Sequence, residues 1–268
     1  MELNAVKNTT EFKKSLFLSF NALREENPSF NTFIYEVSLN NNLFIVGGYL
    51  RCIANNEEPR DLDLIINIDK RTLDALVKKC FPIYTENRLG GYKITLEKIV
   101  VDAWSIEDNW AFKWQLVKNV DVNYLEKIAK GTFFNYDSLV FDLHTLQYNF
   151  KNYNHCAKSK ELDILKKNSN YKRLNPTREA NILRAFYLKE RYALSFSEQL
   201  QSYILEYLKY AGLAFGDGTQ KLRETLLKYK KYQHLLNEHR INQLVEEIQQ
   251  APKPSSTNTG YDLFTTPK

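Results

Sequence analysis

The feature that most restricts how this chain can fold is a change of hydrophobic period between Leu43 and Trp104. There the apolar residues come in short runs, Leu43–Val46, Leu62–Ile68, Tyr92–Leu96 and Ile99–Trp104, with a helical stretch at about 70–79 between the second and third. Short apolar runs of this kind predict strands, whereas apolar positions three and four residues apart predict helix faces. Phe12, Leu16, Phe17, Phe20 and Leu23 have the second spacing, so a helix is expected over roughly 9–26, ended by Asn27-Pro28. Beyond about residue 122 the pattern is mostly helical, apart from a hairpin in which Ser138–Asp142 and Gln147–Phe150 flank His144-Thr145. Asn175-Pro176 offers an N-cap followed by proline at the first helical position, predicting a helix to about Tyr192, with further helices at roughly 197–211, 218–231 and 234–250. The expected fold class is α+β: a small mixed-sheet unit over 1–125, a helical domain over 126–250, and a flexible Pro-, Ser- and Thr-containing tail over 251–268.

Composition narrows the function classes. Seventeen Tyr and sixteen Phe at a net charge of only +5 supply the apolar surface of a packed core. No run of eighteen apolar residues occurs, which argues against a membrane span, and no secretory signal is visible at the N-terminus, so a cytoplasmic protein is expected. Cys52, Cys80 and Cys156 have no CxxC spacing, and His144, His155, His234 and His239 fit no ligand template; any metal chemistry must use oxygen donors. Charge is unevenly spread. Residues 1–125 hold 15 Lys and Arg against 17 Asp and Glu, whereas residues 126–250 hold 20 against 14. The basic second half suits a polyanion such as RNA, because Lys and Arg displace counterions from phosphates; a generally solvated surface is the alternative.

The chemistry-bearing stretch is Val46-Gly47-Gly48-Tyr49-Leu50-Arg51, followed by Arg60-Asp61-Leu62-Asp63. A strand running into two glycines lets the backbone approach a phosphate, although glycine pairs also make plain turns. Asp61 and Asp63 alternate with Leu62 and Leu64, so both carboxylates project from one face of a strand. Two like charges held side by side become favourable when Mg²⁺ sits between them; the alternative is a solvated strand face. Asp102, in Ile99-Val100-Val101-Asp102-Ala103-Trp104, is an acid inside an apolar strand. Its charge needs compensation, either by metal or by a buried salt bridge to a residue such as Arg51 or Arg60. Three carboxylates are what two metal ions acting on a phosphoryl centre would need.

These residues resemble a known family. Val46-Gly47-Gly48-x-x-Arg51 followed by Asp61-x-Asp63 is similar to the head of the DNA polymerase β superfamily, in particular the bacterial-type CCA-adding enzymes and poly(A) polymerases. Phe134 to Asp142 resembles that family's Arg-Asp-Phe-Thr-x-Asn-Ala-Leu-x-Tyr-Asp segment, and Ile182-Leu183-Arg184-Ala185 its neck helix, so the likeness covers roughly 30–200. The resemblance implies a nucleotidyltransferase head followed by an all-helical neck and body, with NTP as substrate. It implies that Gly47, Gly48, Arg51, Arg60, Arg178 and Arg184 bind the nucleotide, and that Asp61, Asp63 and Asp102 are catalytic and hold two Mg²⁺ ions. There are departures. Thr132-Phe133 stands where the family has Arg-Asp before Phe, and Asn175-Pro176-Thr177-Arg178 lacks the Asp of the family's base-reading box and is separated from Ile182 by three residues.

Three functional readings follow: template-independent nucleotidyl transfer to an RNA or tRNA 3′ end, transfer to a small molecule or protein, and a non-catalytic nucleotide- or RNA-binding module. Lys228-Tyr229-Lys230-Lys231-Tyr232 is either an RNA contact or a solvated helix face, and Trp104, Trp110 and Trp114 are either packing or base-stacking residues.

Overall fold

The computed structural model describes residues 2–39, 43–87, 90–115, 117, 124–165 and 177–251. These divide into two compact units, Asn4–Lys158 and the chain from Ser159 onward joined by the first residues through Leu3. No helix among the described residues is long and apolar enough to cross a membrane.

The first unit opens with helix α1, Thr9–Glu26, started by the Asn8 side chain accepting from the Thr10 and Glu11 amides and burying Phe12, Leu16, Phe20 and Leu23 along one stripe. Pro28 ends this helix and occupies the first turn of the next, α2 (Pro28–Ser38), whose Phe30, Phe33, Ile34 and Val37 are buried. Strand β1 (Leu43–Val46) runs through Gly47 into the short helix α3 (Gly48–Ala54), and β2 (Asp61–Ile66) is followed by α4 (Lys70–Cys80), capped by Asp69. Strands β3 (Thr85–Glu86), β4 (Tyr92–Thr95) and β5 (Val100–Ser105) come next, then helices α5 (Trp110–Lys113) and α6 (Tyr124–Gly131). A single 3₁₀ turn at Asn135–Asp137 leads into β6 (Val140–Asp142), β7 (Tyr148–Asn149) and α7 (Lys151–Ser159).

The sheet has seven strands in the order β3-β4-β5-β2-β1-β6-β7. It is mixed, as expected: β2 and β5 are parallel and the other pairs antiparallel. Leu62, Leu64 and Ile66 point from β2 into the core with no exposed surface. On the opposite face Asp61 and Asp63 share a row with Ile65, and Ile65 packs with Phe44 and Val140 against Phe112, Ile128 and Ala129 of α5 and α6. That face is thus apolar and covered at one end and acidic at the other.

The unit reaches further along the chain than the expected boundary at 125. Val140–Asp142 pairs with Phe44–Val46, so the 126–158 segment completes the sheet instead of starting the helical part. A strand's partner is chosen by tertiary packing, which periodicity does not encode.

The second unit is built on α8 (Arg178–Tyr192), α9 (Glu198–Phe215), α10 (Gln220–Lys228) and α11 (Glu238–Gln250), with a two-residue parallel pair between β8 (Glu161–Leu162) and β9 (Ser195–Phe196). Helix α8 is its core: Ala180, Ile182, Leu183, Ala185, Phe186 and Leu188 are all buried. It starts two residues later than expected, with Thr177 as the N-cap accepting from the Ala180 amide at 3.2 Å. Asn175 and Pro176 lie outside the described residues, as does the tail after 251.

Candidate active site

The site is assembled where β1 ends in the glycine turn and β2 and β5 begin beside it. Gly47 has φ 63° and ψ −114°, a backbone state closed to residues with a Cβ; its amide donates to the Leu139 carbonyl at 2.9 Å and its carbonyl accepts from the Arg51 amide at 3.1 Å. Gly48 matters for space. A Cβ there would sit 3.2 Å from Asp61 Oδ1 and 3.8 Å from Arg51 Nη2, so the bare Cα is what lets a carboxylate and a guanidinium flank the turn.

Asp63 and Asp102 are register partners across the parallel β2–β5 pair, so they point to the same side about 5 Å apart at the backbone. Asp61 lies on the same face two residues before Asp63, nearer the glycine turn and more exposed. Three predicted carboxylates therefore share one end of one sheet face. Among the described residues, however, no three His, Cys, Asp or Glu side chains gather into a ready metal cage. Paired, partly exposed carboxylates have the donor chemistry that Mg²⁺ takes, oxygen only, with one or two carboxylates beside retained water and substrate phosphates.

Asp102 is held in an unfavourable setting. Burial chiefly, and the neighbouring Asp61, push its carboxyl above the ordinary range, while Lys93 pulls it down. Lys93 is the cross-strand partner of Asp102 on β4, and its Nζ stands 3.7 Å from Asp102 Oδ2. This corrects the expected partner. Arg60 is exposed at the start of β2, and Arg51 is engaged elsewhere, with its Nη1 donating to Asp137 Oδ1 at 2.9 Å and its guanidinium carbon 4.2 Å from the centre of the Tyr136 ring.

Arg178 and Arg184 belong to the second unit, both on α8. The Arg178 guanidinium lies 5.4 Å from the Tyr210 ring centre and lowers the Tyr203 and Tyr207 hydroxyls slightly, although burial drives both well above the usual phenol value.

Sequence reasoning overlooked Lys93, Tyr136 and Asp137. Alternation already puts Lys93 on the exposed side of Tyr92–Thr95, but only the strand register brings it to Asp102. In the 134–142 segment it was Asp142 that drew notice; it is 3% exposed and caps the β6–β7 turn by accepting from the His144 amide and the Thr145 hydroxyl. Phe133 and Phe134, standing at the family's Asp and Phe positions, are buried and pack edge to face with ring centres 4.7 Å apart. Trp104 lies against the Gly91 backbone, so packing is its role.

The fold, a mixed sheet in the first unit followed by a helical second unit, has counterparts among solved structures. They include CCA-adding enzymes: an apo form (TM-score 0.61, 14% identity, 91% of this chain and 54% of that one), a complex with CTP (0.59, 14%, 93% and 56%), and the Thermotoga maritima enzyme with tRNA (0.57, 15%, 85% and 50%). The chain spans about half the length of these proteins, and at such identities the likeness is one of fold. No protein-family model and no curated protein sequence matches the chain.

Proposed function

We propose that the chain is a Mg²⁺-dependent nucleotidyltransferase that moves a nucleoside monophosphate from an NTP to an acceptor hydroxyl, the 3′ end of an RNA such as tRNA. The observation that carries the reading is the Asp61 carboxylate beside the bare Cα of Gly48, with Asp63 and Asp102 side by side on the next register positions. In the reaction the acceptor oxygen bonds to the α-phosphorus, the bond to pyrophosphate breaks, and the hydroxyl proton is lost. Gly47 and Gly48 let the triphosphate approach the backbone; Arg51 and Arg60 offset its charge; Asp61, Asp63 and Asp102 are the residues that would hold magnesium. When bound, the metal supplies charge stabilisation at the entering and leaving oxygens. For Arg178 and Arg184 a nucleotide role rests on the family resemblance alone. RNA as acceptor is supported by the basic second half and by a solved CCA-adding enzyme bound to tRNA.

A second acceptor class, a small molecule or protein, is favoured by one observation: Phe133 is a core residue, packed on Phe134, where the family carries an Asp. One experiment separates the readings. The protein is incubated with Mg²⁺ and each α-labelled NTP in the presence of total RNA, protein and metabolite fractions, which are then resolved. Label is expected in RNA, lost on chelation, restored by added Mg²⁺, and reduced about 10³-fold in Asp61→Ala/Asp63→Ala. Label confined to protein or metabolites would replace the acceptor, and equal labelling by the double variant would end the enzymatic reading in favour of a binding module.

A further inference from the structure

The head contains an ion pair that neither the glycine turn nor the carboxylates explain. Arg51 and Asp137 meet at 2.9 Å with side chains only 17% exposed each, and they come from segments 86 residues apart. The Arg51 guanidinium is held in two ways, Asp137 accepting from Nη1 and the Tyr136 ring lying 4.2 Å from its central carbon, and its Nη2 stands beside Gly48, 3.8 Å from where a Cβ would be. The same 3₁₀ turn is clamped to the glycine turn by main chain. The Gly47 amide donates to Leu139, and the Asp137 carbonyl lies 3.8 Å from the position of a Cβ on Gly47. An arginine has long, flexible rotamers whose ordering costs entropy, so a guanidinium already held by an acid and a ring face beside a bare Cα is preorganised for whatever approaches Gly48.

The geometry points to Asp137 as a positioning residue for nucleotide binding: it holds Arg51 with one edge turned to Gly48, where the phosphates of the NTP would be received. This rests on the nucleotidyl-transfer reading given above and adds to it a residue outside the glycine and aspartate motifs. Asp137 is itself an anion beside a site for anions, so simple charge repulsion predicts that removing it tightens binding, whereas positioning predicts the reverse. The two are separable by sign.

The test is calorimetric titration of the full chain with Mg·ATP, for wild type, Asp137→Ala, Asp137→Asn, Arg51→Ala and the Arg51→Ala/Asp137→Ala double variant. Asp137→Ala is expected to weaken binding about tenfold, the scale of a lost hydrogen bond to a charged group. Asp137→Asn, which keeps an acceptor oxygen at the same place, is expected to stay within about threefold of wild type. In the Arg51→Ala background the Asp137→Ala change should add less than about twofold, because a residue that acts through Arg51 has nothing left to act on. Thermal unfolding of each variant identifies loss of folding, and Asp137→Ser carries the same comparison if the alanine variant does not fold. Unchanged or tighter binding by Asp137→Ala, or a full tenfold effect without Arg51, overturns the inference and leaves the proposed function standing. Absence of Mg·ATP binding by wild type overturns both.

Discussion

At the scale of single residues, the site places a partly buried carboxyl, Asp102, beside a second acid, Asp61. A carboxyl raised in the folded state favours its protonated form, so it contributes stability below the unfolded value, near 3.8, and that contribution is lost as pH rises through the folded value. Asp102→Asn, neutral at every pH, is therefore expected to be more stable than wild type at neutral pH. The gain should vanish toward about pH 3.5, where the wild-type group is protonated too. Urea midpoints at the two pH values check this; a variant less stable at pH 7 would show that Lys93 outweighs burial and Asp61. The same change should abolish transfer, the usual trade of stability for a strained functional group. Asp61, Asp63 and Asp102 could be picked from the sequence because an acid in an alternating or apolar strand has no packing reason to be there. Asp137 could not, because it lies in an irregular turn and meets Arg51 from 86 residues away in the chain.

Elements show which local signals are sufficient and which are overruled. Helix α1 and strand β1 coincide with their expected spans, since each follows an uninterrupted pattern closed by a strong terminator, Asn27-Pro28 or Gly47-Gly48. Helix α2 was hidden by one of the same terminators: Pro28 reads as a stop for the preceding helix, yet it is also a favourable first residue for the next. Within the β4–β5 pair, a glycine has a specific duty. A Cβ on Gly91 would fall 2.5 Å from the Trp104 ring, too close for any real contact, so the indole lies flat on the main chain only because Gly91 is bare. Gly91→Ala is expected to destabilise the protein by about 1–3 kcal/mol through forced displacement of the ring. Chemical denaturation measures this, and adding Trp104→Leu should remove most of the effect of the alanine, since the two residues share one contact. Additive losses would place the cost in the Gly91 backbone instead.

For the whole molecule, the division of charge follows the division of structure. Residues 159–268 carry 18 Lys and Arg against 12 Asp and Glu, which leaves the remainder of the chain slightly acidic. Exposed Lys228, Lys230 and Lys231 form the densest basic stretch, beside Tyr229 and Tyr232, whose rings stack 5.7 Å apart. Binding to tRNA is expected to fall steeply with salt, about 10³-fold between 50 and 200 mM for some six phosphate contacts. Replacing the three lysines with alanine should lower the log–log salt slope by about 2–3. An unchanged slope in a filter-binding or fluorescence titration would assign this stretch to solvation. What the sequence by itself determined was the fold class, the spans of α1 and β1, and which glycines and acids are out of place in ordinary packing, because these follow from period, turn chemistry and the cost of burying charge. Only the tertiary structure decided that β6 completes the sheet beside β1, that Lys93 rather than an arginine faces Asp102, and that Asp137 holds Arg51. Each of these is a meeting of residues far apart in the chain, and strand register and side-chain packing settle such meetings through contacts that no local pattern carries.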